Sequence, residues 1–289
     1  MRRELNNVIS IVTPSFNQGR FLEQTINSVI TQEGDFYIDY IIADGGSTDN
    51  SVAIIKKYDD LINSKDFTCK CRGIEFSWWS QKDNGQSEAL NNAFGRAKGD
   101  ILAWINSDDY YNDTKVFQIV RDNFLAHSDV DLIYGSGRVI NGSGREKCVC
   151  KAVDVTGDIL LNRGCVIFQP STFYTKKIFY DAGAINENLH YAFDLDLWIR
   201  IVQKAKCLKV DDVLSNFREW ENSKSITSIN DFIREEKLIA RKYGGNVINI
   251  KSIHKLRQFV IFDWFKKYFP SVYETGRKYF YFLIDNFKY

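Results

Sequence analysis

At 289 residues with 44% hydrophobic side chains, the chain can bury a sizeable core and is long for a single compact domain. Its 38 basic and 37 acidic residues give a formal net charge of +1, which argues against a general nucleic-acid binder. Met1 to Asn7 lacks the apolar core of a signal peptide and no apolar run approaches the ~20 residues of a membrane span, so a cytoplasmic protein is expected.

Val8 to Thr13 is apolar and β-branched and predicts a first strand, after which Phe21, Leu22, Ile26, Val29 and Ile30 recur at helical spacing. Tyr40 to Ala43 predicts a second strand that delivers Asp44, Gly45 and Gly46 onto a turn. Ser47, Thr48 and Asp49 can each accept a backbone N–H there and open a helix through Val52, Ile55 and Tyr58. Ile74 to Trp79 reads as a third strand, followed by a helix from about Ser87 to Ala97 that stops at Lys98-Gly99. Ile101 to Ile105 is a fourth strand, ending in Asn106-Ser107-Asp108-Asp109. This alternation predicts an α/β fold with a mostly parallel sheet covered on both faces.

Beyond Leu132-Ile133-Tyr134 the pattern changes. Arg138 to Asn141 and Lys147 to Val153 flank a Gly-Ser-Gly turn as an antiparallel hairpin. Helical spacing returns near Lys176 to Asp181 and Leu195 to Lys204. A charged amphipathic helix from about Asn230 to Tyr243 stops at Gly244-Gly245. The composition then turns aromatic and basic, which places a boundary near residue 246: a domain over 1–246 and a helical extension over 247–289. Cys69/Cys71 and Cys148/Cys150 have Cys-x-Cys spacing, a poor match to zinc knuckles, so reduced thiols are expected.

Three acidic clusters fall at predicted strand ends: Asp44 with Asp49, Asp83 in Gln81-Lys82-Asp83-Asn84-Gly85, and Asp108-Asp109. Parallel strands bring their carboxyl ends to one edge of the sheet, so the clusters converge there. Adjacent carboxylates repel one another, and a divalent cation, Mg²⁺ or Mn²⁺, shared with phosphate oxygens is the usual compensation. Taken singly, each cluster also reads as a solvated loop capping the next helix. Neither Gly-x-Gly-x-x-Gly nor a P-loop is present, so a phosphate cradle of those kinds is absent. A fourth cluster, Asp194 and Asp196, opens an apolar helix where backbone amides favour negative charge; one can cap and the other can serve a ligand.

With these motifs assembled, the chain resembles the family 2 glycosyltransferases, which have the GT-A (nucleotide-diphospho-sugar transferase) fold, and most of all the bacterial members that build surface polysaccharides. The stretches that carry the resemblance are Ser10-Ile11-Val12-Thr13-Pro14-Ser15-Phe16-Asn17, Asp44-Gly45-Gly46-Ser47-Thr48-Asp49, Asp83-Asn84-Gly85-Gln86-Ser87, Gly99 through Asp109, Gln169-Pro170-Ser171-Thr172-Phe173, and Asp194-Leu195-Asp196-Leu197-Trp198-Ile199-Arg200. Together they cover about residues 8 to 245.

The resemblance implies that Thr13 and Pro14 line the nucleotide, that Asp44 reads the base (usually uracil), and that Asp83 lies near the nucleoside. It places Asn106 and Asp108 on the nucleotide sugar, Asp108 and Asp109 on a divalent cation (Mn²⁺ or Mg²⁺), and Asp194 as the general base of an inverting displacement. The implied partners are a nucleotide-sugar donor, of the UDP-sugar class, and a saccharide or lipid-linked saccharide acceptor, with no nucleic acid. Three positions depart from the pattern: Asn106 stands where many members have an acid, Phe193 where many have Glu, and Arg218-Glu219-Trp220 where an Arg-x-His pattern is common.

The sequence leaves two rival readings. A sugar-phosphate nucleotidyltransferase would want a glycine-rich basic loop after the first strand, and Thr13-Pro14-Ser15-Phe16-Asn17 is neither. A catalytically inactive sugar-nucleotide-binding scaffold would have no need of Asp108, Asp109 and Asp194 together. In the extension, basic residues such as Lys266 and Lys267 alternate with aromatics, which suits either a peripheral contact with the inner membrane face or packing on the domain or a second subunit.

Overall fold

In a computed structural model of the chain, residues 7–245 are described; the extension read over 247–289 lies outside them. The order begins β1 (Val8–Ser15), α1 (Gly19–Ile30), β2 (Tyr37–Asp44), α2 (Ser51–Ile62), β3 (Gly73–Ser80), α3 (Gln86–Phe94) and β4 (Ile101–Trp104). It continues with β5 (Tyr110–Tyr111), α4 (Val116–Ala126), β6 (Val130–Asn141), β7 (Glu146–Cys150), α5 (Gly157–Arg163), a 3₁₀ turn (Gln169–Ser171), β8 (Thr172–Thr175) and α6 (Lys176–Asp181). The last elements are α7 (Phe193–Val202), β9 (Lys206–Glu219), α8 (Lys224–Thr227) and α9 (Ile229–Lys242).

The strands form a nine-stranded mixed sheet in the order β3-β2-β1-β4-β8-β6-β9-β5, with β7 paired to β6. The β3-β2-β1-β4 half is parallel, as the strand–helix alternation requires. Beyond it, β8 runs antiparallel to both β4 and β6, while β6 and β9 pair in parallel. Side chains alternate between the faces with the two-residue period of a strand. Ile9, Ile11, Ile38, Tyr40, Ile42, Ile101 and Ala103 join one core under α1, α2 and α4. Val12, Ile41, Ala43, Leu102 and Trp104 join the other, under α3, α6 and α7. Among the described residues no helix is long and apolar enough to cross a membrane.

Several boundaries differ from the sequence reading. Helix α3 ends at Phe94, three residues short of Ala97. The next residues are pulled to the sheet, where Lys98 N–H donates to Asp39 Oδ2 at 2.8 Å and Gly99 N–H donates to Ser10 Oγ at 2.8 Å. Gly99 lies so close to β1 that a Cβ on it would stand 2.5 Å from the Val8 carbonyl oxygen. Strand β1 continues two residues past Thr13, through Pro14 and Ser15 paired with Ala43 and Asp44. The hairpin's first strand is the far end of one twelve-residue strand, β6, which passes through Gly135-Ser136-Gly137 without stopping. Helices α4 and α5 and strands β8 and β9 have no counterpart in the sequence reading. All six cysteines lie within the described residues as thiols.

Candidate functional site

The parallel half of the sheet ends on one row: Ser15 of β1, Asp44 of β2 and Ser80 of β3 are register partners. Asp44 is fully buried, and its carboxylate accepts four hydrogen bonds from the turn beyond it and the next strand. Ser47 Oγ donates to Oδ1 at 2.6 Å, and Gly46 N–H, Ser47 N–H and Ser80 Oγ donate to Oδ2 at 3.1, 2.9 and 2.6 Å. A carboxylate has about four acceptor positions, so in this arrangement Asp44 holds the turn and has little left for a ligand. The β1–α1 and β2–α2 loops are tied to each other. Asn17 N–H donates to Ser47 Oγ and Thr48 N–H to Asn17 Oδ1, both at 2.8 Å, and Gly19 N–H donates to Asp49 Oδ2 at 2.9 Å.

Thr13 and Pro14 are buried within β1, and the Thr13 hydroxyl shares a hydrogen bond with Tyr40 Oη at 3.1 Å. They form the floor beneath the sheet edge. Phe16, the first residue beyond the strand, is instead 60% exposed, next to Asn17, which is tied to the Asp44 turn.

Asp83 closes on the same turn. Its Oδ1 accepts from Gly85 N–H at 2.9 Å, and its Oδ2 lies against Gly45, only 3.0 Å from where a Cβ on that residue would be. Asn106 joins the neighbouring motifs: Gln86 Nε2 donates to its Oδ1 at 2.7 Å, and its own Nδ2 lies 3.3 Å from Asp109 Oδ2 and 3.4 Å from Gln169 Oε1. Gln169 is fixed in turn by donating to the Trp104 carbonyl at 2.9 Å.

The two acids of the fourth strand end behave differently. Asp109 is fully buried; its Oδ1 accepts from Arg218 N–H at 2.8 Å and its backbone carbonyl from Thr25 Oγ1 at 2.6 Å. Burial and the adjacent Asp108 push its carboxyl well above the usual range. Asp109 therefore anchors the strand end to β9, where the sequence reading set it beside Asp108 on a cation. Asp108 is partly exposed, and Trp220 Nε1–H donates to its Oδ2 at 3.0 Å. Burial raises its carboxyl, with the Trp220 bond acting the other way.

The Arg218 guanidinium sits 4.5 Å over the Phe21 ring, and donates through Nε to the Asp108 carbonyl at 2.9 Å and through Nη2 to Gln24 Oε1 at 2.6 Å. Among the described residues no three His, Cys, Asp or Glu side chains cluster as a metal cage. One carboxylate completed by phosphate oxygens and water still suits Mg²⁺ or Mn²⁺, which rarely take all-protein cages. With Asp109 committed inward, Asp108 Oδ1 is the carboxylate oxygen the pair has left for that purpose.

Asp194 is the second residue of α7. Trp104 of β4, two residues before Asn106, stacks on Trp198 of α7 at 5.4 Å and 15°, so the helix start is fixed relative to the Asn106–Asp108 motif. Ser87 of α3 donates to the Leu189 carbonyl at 2.6 Å, joining the loop ahead of α7 to the segment that carries Asp83. Asp194 Oδ1 accepts from Leu195 N–H at 2.8 Å, and Cys165 Sγ lies 3.7 Å from Oδ2. Burial raises its carboxyl to about 6, reinforced by the nearby Glu236 charge and opposed by the Leu195 N–H. Asp196 is fully buried and structural: Arg200 Nε donates to its Oδ2 at 2.9 Å, while Tyr243 Oη and Lys242 Nζ reach its Oδ1 at 2.9 and 3.2 Å.

Thus Asp83, Asn106 and Asp108 share one edge, with Asp194 on the element that packs against it. Sequence reasoning missed Gln86 and Gln169 as partners of Asn106, although both lie in motifs it had singled out. It noted Trp220 only as a missing histidine, and no local pattern could have paired it with Asp108 across 112 positions.

A family model described as glycosyl transferase family 2 matches residues 10–184. The chain is similar to an uncharacterized glycosyltransferase of Rickettsia conorii, 26% identical over 242 residues, which cover 78% of this chain and 37% of that protein. It is also similar to the poly(ribitol-phosphate) β-N-acetylglucosaminyltransferase TarS of Staphylococcus aureus, 25% identical over 175 residues, 60% of this chain and 28% of that one. The chain thus spans about a third of the length of these curated relatives. Among solved structures, S. aureus TarS 1–349 in complex with UDP-GlcNAc matches with a TM-score of 0.60 at 18% identity, over 86% of this chain and 69% of that chain. The mannosyltransferase PcManGT from Pyrobaculum calidifontis, in complex with GDP-Man and Mn²⁺, matches with a TM-score of 0.54 at 15% identity, over 79% and 61%. The fold is that of the GT-A type.

Proposed function

The chain belongs to glycosyl transferase family 2, and on that footing we propose that it moves a sugar from a UDP-sugar donor to a hydroxyl acceptor, with inversion at the anomeric carbon, in the making of a bacterial cell-surface polysaccharide. The donor class is supported by the UDP-GlcNAc complex of the TarS neighbour, and the setting by that relative's action on poly(ribitol-phosphate).

The observation that carries the reading is Asp194: a partly buried carboxyl at the start of a helix that stacks on β4 through Trp198 and Trp104, with its pKa raised to about 6. At neutral pH it is ionised yet more basic than a solvated Asp, which suits a group that must take a proton from a hydroxyl. In the displacement, the acceptor oxygen bonds to the anomeric carbon as the bond from that carbon to the diphosphate oxygen breaks, and the hydroxyl proton passes to Asp194. On the donor side, Asp83 and Asn106 hold the nucleoside and sugar–phosphate portions, with Phe16 offering an apolar face to the base. Thr13, Pro14 and Asp44 keep the floor and turn in place beneath it. A divalent cation held by Asp108 and the donor's phosphate oxygens would supply positive charge against the departing diphosphate.

Calorimetric titration of UDP-, GDP- and dTDP-sugars, each with and without Mn²⁺, tests the donor reading. A UDP-sugar is expected to bind, and more tightly with Mn²⁺. Binding of none of the three classes would contradict the reading.

A further inference from the structure

Glu235 sits in the middle of α9, far in sequence from every motif of the site, and is only 6% exposed. Its carboxylate faces three consecutive backbone amides of the loop that leads into α7. His190 N–H donates to Oε1 at 2.8 Å, and Tyr191 N–H and Ala192 N–H both donate to Oε2 at 2.8 Å. Asp194 follows two residues later. Successive amides turned toward one point form a concave anion site, and a carboxylate seated in it makes charge-assisted bonds. Helix α7 has no side-chain cap of its own at Ala192, and the amides of its entry find their acceptor on another helix instead.

Two further contacts brace the same loop from the α8–α9 segment. Lys224 Nζ donates to the His190 carbonyl at 2.6 Å, and the Tyr191 ring meets the Phe232 ring edge-on at 5.3 Å. Both Asp194 and Glu235 lie beyond residues 10–184, the span matched by the family model.

We propose that Glu235 is the positioning residue for Asp194: by binding the amides of residues 190–192 it fixes the start of α7, and with it the direction in which the Asp194 carboxylate meets the acceptor hydroxyl. The proposal rests on the reading of Asp194 as the base. Glu235 touches neither donor nor acceptor, so its loss changes the chemical step and leaves donor binding as it was. A misplacement of about 1 Å in a reacting group can cost on the order of a hundredfold in rate, and loss of part of this contact is expected to cost roughly tenfold or more in kcat.

The test compares Glu235→Gln, Asp194→Asn and the double variant of the full chain. UDP release is followed with water as acceptor, using whichever of UDP-glucose, UDP-galactose, UDP-GlcNAc and UDP-GalNAc the wild type turns over fastest. Glu235→Gln cannot offer oxygen to both sets of amides, since one of its two positions becomes an NH₂ donor. It is expected to lower kcat roughly tenfold with donor KM unchanged, and to have no further effect in the Asp194→Asn background. Hydrogen exchange over residues 188–196 is expected to accelerate in Glu235→Gln while the parallel strands keep their protection.

Should Glu235→Gln fail to fold, Glu235→Asp and Lys224→Met take its place, with smaller losses in kcat in the same direction. Unchanged kcat in a folded Glu235 variant overturns the proposal while leaving the base reading intact, as does a rise in donor KM without a fall in kcat. Full activity in Asp194→Asn overturns the base reading and the proposal with it. Equal losses from Glu235→Gln in both backgrounds show that Glu235 does not act through Asp194, which also overturns it.

Discussion

Replacing Asp194 with Asn is expected to stabilise the protein while removing its activity, and the size of the gain follows from the carboxyl's surroundings. Asn keeps an Oδ1 to accept from Leu195 N–H, the bond now made at 2.8 Å, so the helix start retains its contact. What changes is the charge. The folded protein holds this carboxyl at about 6, above its ordinary 3.8, chiefly through burial. Between those two values the unfolded chain has released its proton and the folded chain has not, so stability falls as pH rises through this window and then levels off. An elevation of about two units corresponds to about 3 kcal/mol of strain on the ionised form. Because the side chain keeps partial contact with water, about 2 kcal/mol is the expected difference at pH 7.5. Urea unfolding of wild type and variant at pH 4, 5, 6 and 7.5 measures it. The variant's advantage should be near zero at pH 4 and close to its full size by pH 7. A variant no more stable than wild type at pH 7.5, or an advantage that ignores pH, would refute the argument that burial sets the basicity of Asp194.

The two acids after β4 should separate cleanly. Asp108→Asn keeps an oxygen for the Trp220 indole but loses the charge offered to a cation, so the Mn²⁺-dependent part of UDP-sugar affinity should fall roughly tenfold or more by calorimetry, with little change in urea midpoint. Asp109→Ala leaves the buried Arg218 N–H without its acceptor and should lower stability by about 1–3 kcal/mol in the same urea assay. Gly99→Ala places a methyl 2.5 Å from the Val8 carbonyl and 2.7 Å from Ser10 N, both backbone atoms that cannot step aside, and should destabilise by about 2–3 kcal/mol in thermal or urea unfolding.

The parallel half of the sheet was legible because its strands are largely apolar, polar or glycine residues follow each within a few positions, and helical periods come after them. Ile41 and Ala43 face one core and Tyr40 and Ile42 the other, so both faces are buried and the strand reads as a continuous apolar run. Strand β9 was invisible for the opposite reason: Lys206-Cys207-Leu208-Lys209-Val210-Asp211-Asp212 carries charges on a partly exposed ribbon, and its pairing with β6 and β5, not its own pattern, makes β9 a strand. In β6, Gly135-Ser136-Gly137 interrupts the apolar pattern that a sequence reader follows, although the backbone pairing continues. The site divides in the same way. Motif residues at strand ends could be placed together from topology alone. Which of two adjacent acids faces inward could not, because Asp109 is turned by Arg218 N–H and Asn106, and those are tertiary partners. Glu235 is beyond reach for the same reason, since nothing in Arg234-Glu235-Glu236 distinguishes the buried acid from its neighbour.

The central claim is that Asp194 takes the acceptor proton in sugar transfer. Its most direct test is the rate of UDP release by Asp194→Asn beside wild type at pH 7.5, with the UDP-sugar that binds best and with donor Kd measured on the same samples. A fall of roughly a hundredfold or more with donor Kd unchanged is the predicted result. Release at close to the wild-type rate would contradict it.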